Sequence, residues 1–137
     1  MAELGTVRAC IEIYKEELSN VGRKFEGFTI MRDVYLSRNR DAALEESKKA
    51  FLHMYQEDYS RSGHPLVGNL QKNFEEWAAN RFIIGDENDT IDAIESYRKL
   101  GADYIILRTS LRGLRNEQIT NTIRILGEGT LPHFMTQ

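Results

Sequence analysis

Arg108, Thr109, Ser110 and Arg112 place two guanidiniums and two hydroxyls within five residues, directly after the apolar run Tyr104-Ile105-Ile106-Leu107. A cation leaving the end of a buried strand can face a phosphate or an anionic substrate, and hydroxyls beside it can share that work. The ordinary reading of Arg108, an ion pair at the rim with a neighbouring helix, is preferred over anion binding. Arg32 and Asp33 are charges inside an otherwise apolar segment. Neighbours on a strand point to opposite faces, so they cannot pair with each other, and a structural ion pair with another segment is expected. His64, beside Pro65, could donate a proton, although a solvated loop residue fits it better. No His-x3-His pair or carboxylate cluster stands at ligand spacing, so no metal site is expected. The Gly63/Gly68 and Gly127/Gly129 pairs are too sparse for a phosphate loop, and Gly127-Glu128-Gly129 reads as a helix end.

These residues need elements to hold them. Leu4, Val7, Ile11, Tyr14, Leu18 and Val21 alternate spacings of three and four, which predicts a helix over 2–21 with one buried stripe. Residues 27–36 are rich in β-branched and aromatic types on both faces, the pattern of a strand covered on both sides. Ser37 or Asn39 caps a helix running to about Tyr59, with Ala43, Ala50, Phe51 and Met54 turned inward. Residues 60–73 break every periodicity and form the longest loop, and a short helix over 74–80 follows. Trp77, Phe74, Phe51 and Tyr55 read as packing rather than as a stacking platform. Phe82-Ile83-Ile84-Gly85 and Tyr104-Ile105-Ile106-Leu107 are short buried strands, each followed by a helix, over about 90–100 and 116–126. Strand, helix, strand, helix in that rhythm demands a parallel α/β sheet.

With 137 residues the chain fits one domain and falls short of the roughly 250 residues of a complete (β/α)8 barrel. Apolar residues make up 41% and charged residues 28%, as in ordinary globular chains. The net charge of −3 offers no field for nucleic acid. Cys10 is the only cysteine, so no intrachain disulfide forms, and a reducing, cytoplasmic setting is expected. The apolar runs are too short for a membrane span, and the N-terminus does not read as a signal peptide.

Phe82-Ile83-Ile84-Gly85-Asp86, Thr90-Ile91-Asp92-Ala93-Ile94, Tyr97-Arg98, the block Leu100 to Leu107, and the tail Leu131-Pro132-His133-Phe134 resemble the closing segment of the bacterial luciferase-like flavin monooxygenase superfamily. Met31 to Leu36 followed by Asp41-Ala42-Ala43 is similar to an earlier strand and helix start of that family, so the likeness runs over about residues 4–134. Asp86-Glu87-Asn88 departs from it, where the family usually has a Pro. The resemblance implies the last three βα units of a TIM barrel, a partial barrel with three parallel strands and flanking helices. It implies an enzyme that uses FMN or a deazaflavin on a small organic substrate, and a closing loop over 60–73 that includes His64. Arg108, Thr109, Ser110 and Arg112 would be this chain's share of cofactor binding. The family's flavin phosphate grip lies in the N-terminal two-thirds of the barrel, so tight flavin binding by this chain alone is not expected.

Three strands cannot close a barrel, and their outer edges need covering. The chain therefore belongs with a missing N-terminal barrel part, self-associates as a homo-oligomer, or packs as an open three-layer sheet. A non-catalytic, self-associating α/β domain with a structural or ligand-binding role is the alternative to an oxidoreductase.

Overall fold

The computed structural model describes residues 1–60 and 73–135. His64 and nearly all of the 60–73 loop lie outside the described residues. The elements run α1 (Leu4–Asn20), β1 (Phe28–Leu36), α2 (Arg40–Ser60), α3 (Phe74–Ala78), β2 (Ile83–Gly85), α4 (Glu87–Lys99), β3 (Ala102–Arg108), α5 (Asn116–Ile125), a π-helical turn Leu126–Thr130 and α6 (Leu131–Met135). The three strands are parallel and flanked by helices, the α/β class read from the sequence.

Strand order is β2-β1-β3. β1 is the centre, where three consecutive barrel strands would have placed β2. The N-terminal part of β1 pairs with β3, from Phe28↔Ala102 to Asp33↔Arg108, and its end pairs with β2, from Val34↔Ile83 to Leu36↔Gly85. Helices cover both faces. Tyr35 and Ile84 pack under α2 and α3 with Phe51, Met54, Tyr55, Phe74 and Phe82. On the other face Val34, Leu36 and Ile83 pack with Leu126, Ala93 and Leu107. The sheet is thus an open middle layer, and right-handed crossovers running in opposite directions, from β1 to β2 and then from β2 back past β1 to β3, account for helices on opposite faces.

Beyond the end of β3, the N–H and C=O of Leu36 have no strand beside them. The fully buried Thr122 of α5 takes both. Its Oγ1 accepts from Leu36 N at 3.1 Å and donates to Leu36 O at 3.4 Å. Thr122→Val keeps the shape and removes this plug, and is expected to cost about 1–3 kcal/mol in urea unfolding, the penalty for stranded buried polar groups. Thr122→Ser should retain most of that stability.

Three expectations change. Helix α1 exists, but its stripe is not buried as a unit: Ile11 is buried, while Tyr14 and Val21 are 48% and 66% exposed. A three-stranded sheet offers too little surface to cover that face. Gly127-Glu128-Gly129 does not end the last helix. It forms the π turn that carries α5 into α6. A Cβ at Gly129 would sit 2.2 Å from the Glu87 carboxylate, so the glycine there permits close approach to the start of α4. Helix α4 also begins earlier than the sequence predicts, because Asp86 and Asp89 form a reciprocal capping box.

Candidate functional site

The pairing of β1 with the end of β3 brings Asp33 and Arg108 into register on one face of the sheet. Asp33 is fully buried. Arg108 approaches it side-on, Nε to Oδ1 at 2.5 Å and Nη2 to Oδ2 at 2.8 Å. Tyr55, from α2, donates its phenol to Oδ2 at 2.6 Å. A two-pronged guanidinium and a phenol around one carboxylate make a closed, well-compensated unit. Among the described contacts, the ion-pair partner of Arg108 is this strand carboxylate.

Arg112 goes elsewhere. Its Nη1 lies 2.9 Å from Glu57 Oε2 on α2, and both side chains are exposed. Thr109 is half-buried and Ser110 exposed. The two arginines of the sequence-predicted set therefore face different carboxylates rather than one anion cradle.

Arg32 projects to the opposite face. Its Nε donates to the Tyr97 hydroxyl of α4 at 2.5 Å, and its guanidinium carbon sits 4.8 Å from the centre of the Tyr97 ring. Met1 lies against it, Sδ to Nη1 at 3.6 Å. Met1 also offers its carbonyl to Nη1 of Arg81 at 3.3 Å, and Arg81 pairs with Glu3. Burial lowers the pKa of the Met1 amino group; Asp33 opposes that, while Arg32, Arg81 and Arg108 add to it. Sequence reasoning singled out Arg32 as a mid-strand charge but not Arg81, which follows Asn80, a residue with φ of 61°. Nothing local in the sequence announces that both contact Met1.

A cleft of about 390 Å³ runs along the edge of β2 that is unpaired among the described residues, bounded by Arg40 and Leu44 of α2 and by Asp89, Asp92, Ser96 and Tyr97 of α4. Near the end of β1, the Tyr35 phenol donates to Glu46 Oε2 at 2.8 Å and accepts from Gln118 Nε2 at 3.0 Å. Burial, and then the hydrogen bond to Glu46, push its pKa from 10.0 up to about 12. The neutral phenol is the form the fold favours, so its contribution to stability is complete below about pH 10 and is lost as pH rises through about 12. Tyr35→Phe should therefore flatten the alkaline loss of stability over that interval, read from melting curves at stepped pH.

Among the described residues no group of His, Cys, Asp and Glu is arranged to hold a metal, and no helix is long and apolar enough to cross a membrane. No protein-family profile matches the chain, and no curated protein matches it significantly. Among solved structures it is similar to monooxygenase RslO1 from Streptomyces bottropensis, with a TM-score of 0.67 and 20% identity. The likeness is one of fold. It covers 98% of this chain and 40% of RslO1, so the chain spans less than half of that monooxygenase's length.

Proposed function

We propose that this chain is the C-terminal portion of a flavin-dependent, luciferase-like monooxygenase or related oxidoreductase acting on a small organic substrate. One observation carries the reading: virtually the whole chain superposes on 40% of a monooxygenase more than twice its length. The blocks that resemble the luciferase-like family, Phe82 to Asp86 and Leu100 to Leu107, form β2 and β3 of the shared architecture. In this role the chain supplies strand ends and helical cover, and FMN or a deazaflavin is held mainly by the remaining part of the barrel.

The Asp33–Arg108 unit sharpens the division of labour. Arg108 already pairs with Asp33 and Arg112 with Glu57, so a flavin phosphate would meet two guanidiniums whose charge is already partly balanced. This favours a chain that cannot grip flavin unaided, and it is also what supports the second reading, a self-associating α/β domain without turnover of its own.

The test is a chimera in which these 137 residues replace the matched 40% of RslO1. A folded chimera that binds FMN or a deazaflavin, read by fluorescence quenching, is the expected result, with the isolated chain showing no saturable quenching at micromolar concentration. With RslO1 itself shown to bind a flavin in the same assay, a folded chimera unable to bind it would overturn the oxidoreductase reading and leave the domain reading. Saturable binding by the isolated chain would overturn the division of labour.

A further inference from the structure

Arg32 is 3% exposed and Arg81 is 9% exposed, and each has a guanidinium nitrogen without a hydrogen-bond partner among the described residues, Nη2 of Arg32 and Nε of Arg81. The contacts Arg32 does make are with a phenol, a ring face, a thioether and the Met31 carbonyl at 3.3 Å. None of these is an anion. Arg81 has Glu3, whose side chain is 51% exposed. Asp33 cannot serve Arg32, because it faces the other side of β1 and already holds Arg108 and Tyr55.

A guanidinium does not shed its proton in a protein, so its charge must be met where it stands. Both arginines touch Met1, one at its sulfur and the other at its carbonyl, which puts them a single residue apart. The Met1 amino group stands close by; burial is the main cause of its lowered pKa, Asp33 opposes the shift, and Arg32 and Arg81 add to it. Two buried forks, each with a stranded donor and each held against Met1, are groups whose hydrogen bonding a planar or tetrahedral oxyanion completes. The cleft along β2 passes beside this locality: Tyr97, the partner of Arg32, lines it, as do Asn80 and Phe82 on either side of Arg81, while the two arginines lie behind its wall.

We propose that Arg32 and Arg81, with Tyr97 beside them, form a receptor for a small oxyanion, a carboxylate or a phosphate group. The site is separate from the Asp33–Arg108 unit and does not rest on the flavin reading.

The test uses the full chain, melted in sodium phosphate, sodium acetate or sodium chloride at matched ionic strength and pH 7. The expected result is a saturable rise in Tm of several degrees with phosphate or acetate over chloride. A rise with phosphate alone assigns a phosphate receptor, and one with acetate alone a carboxylate receptor. Phosphate also stabilises proteins generally by exclusion from their surfaces, but that effect does not saturate and does not depend on one arginine. Arg32→Met should abolish the saturable part, and Arg81→Gln should raise the anion concentration at half-effect by about tenfold. If Arg32→Met fails to fold, Arg81→Gln alone decides. Identical melting in all three salts, or a saturable rise that Arg81→Gln leaves unmoved, overturns the proposal.

Discussion

Arg108→Met is expected to destabilise the fold by about 3 kcal/mol in urea unfolding, at the lower end of what breaking a buried ion pair costs. The direction follows from an asymmetry between the partners. The Asp33 side chain is fully buried, while that of Arg108 is 40% exposed. Removing the arginine leaves a carboxylate in the sheet with the Tyr55 hydroxyl as its remaining side-chain donor of the three described. Removing the carboxylate instead leaves a guanidinium that can turn toward water, so Asp33→Asn should cost less, about 1–2 kcal/mol. Asp33→Leu combined with Arg108→Met should cost less than the sum of the two single changes by about 2 kcal/mol, because neither charge is then abandoned. An Arg108→Met protein within about 0.5 kcal/mol of the parent, the range of neutral surface changes, would show that the pair does not hold the strands. It would return Arg108 to the list of residues available for a ligand.

That outcome also bears on what the sequence makes legible. The element order could be read because β2 and β3 hold short apolar runs, β1 is rich in β-branched and aromatic types, and the helices between them have their own stripes or stops. Ala43, Ala50, Phe51 and Met54 are buried as their spacing predicts, and all lie on α2. What periodicity cannot carry is which strand lies beside which. β2 has three residues, too few to dictate a neighbour, whereas β3 has seven and matches β1 over six pairs. That difference puts β1 in the middle, and with it fixes the partner of Asp33. The site suffers from the same limit. Arg32 and Asp33 are conspicuous in a strand, but their partners come from 65 and 75 residues away, and Arg81 becomes informative only when Met1 is seen between it and Arg32. The stripe of α1 shows the reverse case: the pattern is present, but the surface it would cover is not provided by three strands.

The largest loss of stability is expected from Phe51→Ala. Phe51 is fully buried on α2, with the Phe82 ring centre 4.7 Å away and Phe74 at 6.3 Å. Phe82 is in turn 5.0 Å from both Tyr55 and Trp77, so Phe51 joins a five-ring cluster that ties α2 and α3 to the start of β2. These rings meet at tilted or edge-on angles, the arrangement in which aromatic quadrupoles attract. Truncation removes the transfer free energy of the ring and leaves a cavity whose walls are other rings, too stiff to collapse into it. The expected cost is about 4 kcal/mol, from the range measured for such changes. That is a large share of the roughly 5–15 kcal/mol that a domain has in total. Phe51→Leu keeps most of the volume and should lose about 1 kcal/mol. The readout is urea unfolding followed at once by far-UV CD and by fluorescence of Trp77, which stands in the cluster. Coincident transitions, both shifted to lower urea, are expected if the cluster and the sheet unfold together. A Trp77 transition that separates from the CD transition would mean that α3 and its rings form a satellite, and that the sheet is held by the Val34–Leu36–Ile83 face alone.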